Sequence, residues 1–247
     1  MHSDCIVIQG SNMAEAHPVG FGWVMEAKRR GATVIHVDPR FTRTSAVADL
    51  HVPIRAGTDS AFLGGLIHHV LETGAYFEEY VRAYTNAPML VRDDFTDTED
   101  LAGVFSGYDP ETGTYDVSSW EYPGMHVEAA TGPRDDRITA DDDPEDRPGV
   151  HEHERGQIAG SGGAPVATDP ERDDTLQHPR CVFQVLRRHY ARYTPELVHE
   201  ICGIPPELFR QVAEALTRNS GRERTSAFCY AVGWTHHTVG AQYIRAA

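Results

Sequence analysis

The chain has 247 residues, of which 40% are hydrophobic, and this is enough for one well-buried core. No apolar run reaches the roughly 20 residues that a membrane span requires. The net charge is −15, and residues 93–178 carry the excess, with 23 Asp and Glu against 5 Arg. The remaining chain has 14 acidic and 17 basic residues. That balance suits a phosphate-bearing ligand and is too weak to predict nucleic-acid binding.

The first third of the sequence alternates predicted strands and helices. The apolar run Cys5–Gln9 ends at Gly10 and is typical of a strand buried in a parallel sheet. A helix over 22–30, with Pro18 in the first-turn position, and a strand over 32–37 complete a strand–helix–strand unit. We predict further elements along this part of the chain, namely a strand near 51–54, a helix over 59–71 capped by Thr58, and a helix over 78–84.

The remainder of the chain interrupts and then resumes this pattern. Residues 93–173 are predicted to form an acidic, irregular insertion in which 123–173 lack a fixed structure. Regular structure returns as helices over 181–193, 195–202 and 206–219, a strand over 225–232 and a helix from 239. The predicted fold class is α/β, a Rossmann-like parallel sheet flanked by helices, in a domain made of residues 4–92 and 174–247. The chain stops within its last helical pattern, so we expect it to be a fragment of a longer protein.

Two loops that follow predicted strands are candidate nucleotide contacts. Gly10, Ser11 and Asn12 follow the first strand, where backbone N–H groups and the next helix suit a pyrophosphate that His17 could also reach. The loop lacks the G-x-G-x-x-G fingerprint of an ordinary NAD site. Asp38 ends the second strand, where Rossmann-type folds meet ribose hydroxyls, and Arg40 could neutralise a phosphate. A structural turn and a strand-end cap are the alternative interpretations.

Two further loops complete the predicted site. Gly57, Thr58 and Asp59 begin a helix, and the two carboxylate oxygens of Asp59 could accept the paired donors of a guanine base; an ordinary helix cap is the alternative. The loop after the last strand is rich in hydrogen-bonding side chains, although it also reads as a polar loop around one aromatic anchor. Its candidate residues are Gly233, Trp234, Thr235, His236 and His237.

Other chemistries find little support in the sequence. The four cysteines are far apart, which excludes a local iron–sulfur or zinc knuckle and favours buried thiols. Lys28 is the one lysine, so lysine-dependent phosphate loops and Schiff bases are disfavoured. The run at 151–154 alternates His and Glu, but it does not predict a metal site because no third ligand has a fixed position near it. We therefore assign no metal ligand and no catalytic residue.

The motifs together resemble one family, the large subunits of respiratory-type formate dehydrogenases within the molybdopterin oxidoreductase superfamily. The resemblance covers residues 4–122 and 174–247 in order. Its most specific stretches are Ala-Glu-Ala-His-Pro at 14–18 and Leu-Gln-His-Pro-Arg-Cys at 176–181. Asp-Pro-Arg at 38–40 and Gly-Thr-Asp at 57–59 mark only the superfamily.

The resemblance implies a large subunit that oxidises formate to carbon dioxide at a molybdenum or tungsten ion held by pyranopterin guanine dinucleotides. It also implies a 4Fe-4S cluster and an iron–sulfur partner subunit that receives the electrons. In that family the cluster and the metal-ligating residue lie upstream of the region matched here, and further domains of the large subunit lie downstream. This chain is therefore expected to contribute cofactor contacts without catalysis, and the isolated chain is predicted to be inactive.

Three alternatives remain at this stage. The chain could be a non-catalytic cofactor-binding module of a split molybdoenzyme, or part of another molybdopterin oxidoreductase. An unrelated nucleotide-dependent dehydrogenase is the third, and the missing glycine fingerprint argues against it.

Overall fold

The computed structural model describes residues 1–124, 126–127, 165–166 and 170–247, the two short middle ranges by their backbone alone. The elements of the first part of the chain are β1 Cys5–Gln9, α1 Met13–Ala16, α2 Pro18–Arg29, β2 Thr33–Val37, α3 Arg43–Val47, β3 Leu50–Val52, α4 Asp59–Thr73 and α5 Glu78–Tyr84. The elements that follow are β4 Tyr108–Asp109, β5 Thr114–Tyr115, β6 His126–Val127, β7 Pro165–Val166, α6 Val182–Tyr190, α7 Pro195–Cys202, α8 Pro206–Arg218, β8 Ser226–Tyr230, α9 Val232–Thr235 and α10 Gly240–Ala246.

The chain divides into two compact units, and the first contains the parallel sheet. This unit consists of Met1–Ala83 and Leu186–Ala247. Its four strands are arranged in the order β3-β2-β1-β8, and every neighbouring pair is parallel. The register sets Gln9 opposite Val37 on one side and opposite Tyr230 on the other. The carboxyl ends of the three strands β2, β1 and β8 are therefore level with each other.

Both faces of the sheet are buried at the central strands β1 and β2, which explains why these strands are mostly apolar rather than alternating. On one face Cys5, Val7, Ile35 and Val37 join a large cluster with residues of α4, α7, α8 and α10. On the other face Ile6, Ile8 and Val34 pack with residues of α2. The charged residues of this unit are consequently left to helix surfaces and to loops at the sheet's edges.

The order of the strands creates a crevice between β1 and β8. From β1 the chain winds outward through β2 to β3, and β8 later joins the opposite side of β1. The segment after β1 leads to α2 on one face, whereas the segment after β8 places Trp234 and Tyr243 in the cluster on the other face. Adjacent loops that diverge in this way open a crevice at the carboxyl ends of the strands, where open α/β sheets bind ligands.

The second unit spans Tyr84–Val185, and few of its described residues belong to helices or strands. A two-stranded antiparallel hairpin, β4–β5, lies beside a cluster of partly exposed aromatic rings formed by Phe105, Tyr108, Tyr115 and Trp120. Extended segments bridge Met89 to Arg172 and Leu90 to Cys181. Much of the predicted region 123–173, with the His-Glu run at 151–154, falls outside the described residues. The assignment of 93–173 as an insertion, and the domain limits, therefore remain predictions.

The predicted α/β class is confirmed by the parallel sheet and its flanking helices. The predicted helices over 78–84 and 195–202 have the observed bounds, and the others differ by a few residues at their ends. The prediction missed the short helices α1, α3 and α9, the last of which lies partly where a loop was predicted, and started α2 four residues late. Among the described residues, no helix combines the length and apolar character needed to span a membrane.

Candidate functional site

A cleft of about 830 Å³ opens at the carboxyl ends of β1, β2 and β8. Eleven of the fourteen predicted site residues line it, namely Gly10, Ser11, Asn12, His17, Asp38, Arg40, Asp59, Gly233, Thr235, His236 and His237. Gly57, Thr58 and Trp234 are not among the lining residues. The volume lies within the range of about 300–1,000 Å³ that is common for small-molecule sites.

The floor of the cleft is formed by two backbones in direct contact. The Gly233 N–H donates to the carbonyl oxygen of Gly10 over 3.0 Å. A Cβ atom on Gly233 would lie 2.3 Å from that oxygen, a distance that no relaxed structure tolerates. Gly10 has a φ of 63° and its Cβ would lie 3.1 Å from the Trp234 ring. These glycines are needed so that the loops after β1 and β8 can meet.

The loop after β1 lines the cleft and contains two backbone donors without a partner among the described residues. Within the described part of the chain, the N–H groups of Ser11 and Asn12 have no hydrogen-bond acceptor. The Asn12 side chain is used locally, because its amide nitrogen donates to Glu15 and its oxygen accepts from Thr44 Oγ1 over 3.0 Å. The short helix α1 lies between this loop and the predicted helix, and that helix, α2, begins at Pro18 with His17 as its N-cap. Of this loop's predicted donors, two backbone N–H groups are thus free, whereas the Asn12 side chain is not.

His36 stabilises this loop through a hydrogen bond from its buried ring, a role that the sequence did not suggest. Its Nε2 donates to the Ser11 carbonyl oxygen over 3.1 Å, which assigns the ring a tautomer with hydrogen on Nε2. Nδ1 then accepts from the Ser45 hydroxyl over 2.7 Å. His36 has no exposed surface, and burial lowers its pKa against the opposing effect of nearby Asp38. A neutral imidazole therefore fixes the orientation of the Ser11 carbonyl.

Asp38 and Arg40 lie where the sequence predicted, on the wall after β2. Asp38 is 6% exposed, and one carboxylate oxygen accepts from the Arg40 backbone N–H over 2.8 Å. Its other oxygen lies 3.9 Å from His36 Nε2. The Arg40 side chain is exposed and forms no ion pair with any described residue. A buried acceptor and an exposed cation thus both line this wall of the cleft.

The segment before α4 differs from the prediction in detail. Thr58 is at the N-cap position, but its hydroxyl donates to the Arg55 carbonyl oxygen over 2.7 Å and makes no capping bond. Gly57 has a φ of 86°, and its carbonyl oxygen accepts from the Tyr243 hydroxyl over 2.9 Å. These two residues support the loop, and of the three predicted residues only Asp59 faces the cleft.

Trp234 lies in α9, the short helix after β8, and is fully buried. Its indole nitrogen donates to Asp59 Oδ1 over 3.0 Å. The ring stacks on Tyr230 with centroids 5.1 Å apart and planes 15° from parallel. Tyr230, which the prediction omitted, lines the cleft and is 45% exposed. Trp234 therefore acts through its neighbours rather than by touching a ligand.

Gln9, His36 and Tyr230 are the residues that sequence reasoning missed. Gln9 and His36 are fully buried, and each lies in the last two positions of an otherwise apolar strand. A polar residue at the carboxyl end of a buried parallel strand was the signal available, because burial of such a group requires a partner. No pattern in the sequence indicated that Tyr230 lines the cleft.

A metal ion has no preformed site in the described part of the chain, where no group of three or more His, Cys, Asp or Glu side chains converges. The cleft instead combines free backbone N–H groups, an exposed guanidinium and two buried carboxylates. This set of groups can hold a phosphate, hydroxyl groups and a donor-rich base, which together make up a nucleotide.

Comparisons with known proteins give a consistent relationship. The family described as molybdopterin oxidoreductase matches residues 1–247. The major subunit of the nitrate-inducible formate dehydrogenase of Escherichia coli (strain K12) is 45% identical over 245 residues, which are 99% of this chain and 20% of that protein. The alpha subunit of the formate dehydrogenase of Megalodesulfovibrio gigas is 42% identical over 245 residues, with the same two shares. The chain spans about a fifth of the length of these relatives.

A solved structure has a similar fold. Acetylene hydratase from Pelobacter acetylenicus matches 99% of this chain and 20% of its own, with a TM-score of 0.53 and 17% identity. At that identity the likeness concerns the fold alone.

Proposed function

Because this chain belongs to the molybdopterin oxidoreductase family, we propose that its cleft binds the nucleotide portion of a molybdopterin guanine dinucleotide. The observation that carries the proposal is the convergence of eleven predicted residues, drawn from four separate segments of the chain, on one cleft. The rule for ligand sites in open parallel sheets places a nucleotide at this same edge.

Each part of the nucleotide has a matching group in the cleft. The free N–H groups of Ser11 and Asn12 and the guanidinium of Arg40 suit the pyrophosphate. The buried carboxylate of Asp38 suits ribose hydroxyls, which need an acceptor. Asp59 suits the donor edge of guanine. The contact between Gly10 and Gly233 keeps side chains out of the floor, so a ligand can approach the backbone closely.

For the whole protein we propose formate dehydrogenase activity, on the strength of the relatives' names and the 42–45% identities. When bound, the pterin-held molybdenum or tungsten would supply the two-electron chemistry. In this proposal the residues of this chain bind and orient the nucleotide, and none touches formate. A 4Fe-4S cluster, an iron–sulfur partner and the other domains of the large subunit would complete electron transfer.

Two other functions remain candidates under specific observations. A non-catalytic module of a split molybdoenzyme is compatible with a chain that matches a fifth of its relatives. A different molybdopterin oxidoreductase is suggested by the 31% identity to a sulfite dehydrogenase chain of Allochromatium vinosum, over 78% of this chain. Both alternatives keep the nucleotide cleft and differ in what the rest of the protein does.

Titration of the purified 247-residue chain with guanosine diphosphate (GDP) tests the nucleotide site directly. Followed by NMR of the ¹⁵N-labelled chain, GDP should shift the amide signals of Ser11, Asn12 and Gly233. NAD should shift them far less, because the loop lacks the fingerprint of a dinucleotide-binding turn. Equal responses to GDP and NAD, or no response to either, would count against the proposal.

Removing the carboxylate of Asp38 should weaken GDP binding. In Asp38→Ala the ribose loses an acceptor, with an expected cost of about 1–3 kcal/mol, or roughly 5- to 150-fold in affinity. A matched control is Asp49→Ala, which removes a carboxylate that contacts Lys28 and the Val34 N–H instead of lining the cleft. The control should bind GDP like the wild type, and equal losses in both variants would contradict the assignment.

A further inference from the structure

Asp59 is the hub of a buried network that links three elements beside the cleft, namely β1, α4 and α9. It lies at the start of α4 and is 5% exposed. Its Oδ1 accepts one hydrogen bond from Gln9 Nε2 over 2.8 Å and another from Trp234 Nε1 over 3.0 Å. The end of β1, the start of α4 and helix α9 are thus connected through a single oxygen atom.

The two oxygens of Asp59 are therefore not equivalent. Oδ1 already accepts two hydrogen bonds. Oδ2 accepts none from any described residue, although Asp59 lines the cleft. Among the described side chains, Gln9 Oε1 is the only fully buried polar atom without a hydrogen-bond partner. Asp59 Oδ2, which also has no partner among the described residues, is therefore not fully buried. The second oxygen is thus reachable from the cleft.

The orientation of the network is fixed by its donors. An indole can only donate, so Trp234 Nε1 requires an acceptor at Asp59. Gln9 turns its amide nitrogen towards the same atom and leaves its own oxygen buried without a partner among the described residues. An orphaned buried oxygen costs stability. Despite this cost, the two hydrogen bonds from Gln9 and Trp234 hold the Asp59 side chain in one rotamer.

We infer that Gln9 and Trp234 are positioning residues that hold Asp59 so that Oδ2 alone receives the base of the bound nucleotide. The inference rests on the proposed function and replaces the two-oxygen pairing expected from the sequence. Guanine places two donors, N1–H and the exocyclic amine, on the edge that would meet this oxygen. Adenine has an acceptor at N1, so a fixed carboxylate oxygen disfavours it.

A purely structural role is the competing explanation, since Trp234 is fully buried and belongs to the main hydrophobic cluster. The two explanations differ in what a substitution changes. A structural anchor affects stability and affinity for all nucleotides together. A positioning residue changes the discrimination between bases, because a released Asp59 can rotate.

The test compares GDP with inosine diphosphate, which differs only in lacking the exocyclic amine. Trp234→Phe keeps a buried ring and removes the N–H donor, while Gln9→Met keeps a similar volume and removes the amide. The wild-type chain should prefer GDP by roughly tenfold or more, the effect of one hydrogen bond to a charged group. In each variant the preference should fall at least about threefold.

Tyr243→Phe is the matched control. It removes the buried hydroxyl that bonds to the Gly57 carbonyl oxygen in the same loop and leaves the contacts of Asp59 intact. The control should keep the wild-type preference for GDP. Thermal unfolding of all four proteins separates lost stability from lost discrimination.

The outcomes test the positioning role of Gln9 and Trp234 separately from the proposed nucleotide binding. Binding of GDP by the wild type with an unchanged preference in both variants overturns the inference and keeps the proposed function. Failure of the wild type to bind either nucleotide overturns both. Should a variant fail to fold, the indole N–H signal of Trp234 in the wild type decides: saturating GDP should shift it, because the base draws on the same carboxylate. A signal that stays in place overturns the inference.

Discussion

The contact between Gly10 and Gly233 is the point where a single methyl group should disable the cleft. In Gly233→Ala the new Cβ would lie 2.3 Å from the Gly10 carbonyl oxygen and 2.6 Å from its Cα, both rigid backbone atoms. We expect a loss of about 1–3 kcal/mol in the free energy of unfolding, as for other overpacked sites, together with weaker GDP binding. Urea unfolding and GDP titration measure the two effects.

The control for this substitution is Gly22→Ala. Gly22 lies in α2, where a new Cβ would meet nothing within 4 Å. Alanine is favoured over glycine in a helix interior by up to about 1 kcal/mol, so this variant should be as stable as the wild type or slightly more stable. If both variants unfold at the same urea concentration, the contact between the glycines is not as tight as the distances indicate.

The buried His36 makes stability depend on pH in a predictable direction. Burial lowers its pKa in the folded chain, whereas in the unfolded chain it takes up a proton near its ordinary pKa of about 6.5. The unfolded state then binds more protons below that pH, so the free energy of unfolding decreases as the pH falls. The stabilisation is present above about pH 6.5 and is lost on acidification towards the lowered pKa of the folded state.

His36→Gln isolates this contribution. The amide can still donate to the Ser11 carbonyl oxygen but does not titrate, so between pH 7 and pH 5 the variant should lose less stability than the wild type. His69, whose pKa burial also lowers, remains in both proteins and accounts for part of the residual slope. Parallel slopes, or an NMR titration of His36 in the folded wild type at or above its ordinary pKa, would refute the expectation.

At the level of elements, the sequence predicted those helices and strands whose bounds depend on local sequence patterns. The strands Cys5–Gln9 and Thr33–Val37 and the helix Pro195–Cys202 follow from apolar runs, a first-turn proline and a terminal glycine. The four-residue α1 carries no such signal. Its N-cap residue, Asn12, makes side-chain hydrogen bonds with Glu15 and Thr44, and Thr44 is distant in sequence.

The sequence predicted the candidate site only as far as it predicted where the strands end. Once the parallel order of the strands was assumed, Gly10, Asp38 and Gly233 had to share one edge. The order itself, with β8 beside β1, determines that Trp234 meets Asp59, and these residues are 175 positions apart. Pairings of that kind depend on tertiary packing, so the sequence did not predict the roles of Gln9 and Tyr230. For the same reason the sequence predicted a capping hydrogen bond from Thr58 that the structure does not contain.

At the scale of the whole chain, the four cysteines report on the stability of different regions. Cys5 and Cys202 are fully buried in the same hydrophobic cluster, Cys229 is partly buried on the other face of the sheet, and Cys181 lies in the second unit. Burial raises the pKa of Cys5 to about 11 and also raises the pKa values of Cys202 and Cys229. Since the thiolate is the reactive form, these thiols should resist alkylation in the folded chain.

Alkylation at increasing urea concentration, with each site quantified by mass spectrometry, tests whether the sheet unit unfolds as one body. Cys5 and Cys202 lie 197 positions apart in sequence but in one cluster, so they should become reactive at the same urea concentration. Cys181 provides an internal comparison, because it belongs to the other compact unit and regions of one protein can open with different free energies. Reaction of Cys202 well before Cys5 would show that α7 and the region around it detach from the sheet first. The sheet's carboxyl edge and the Asp59 network would then lack the rigid support that a preformed nucleotide site requires.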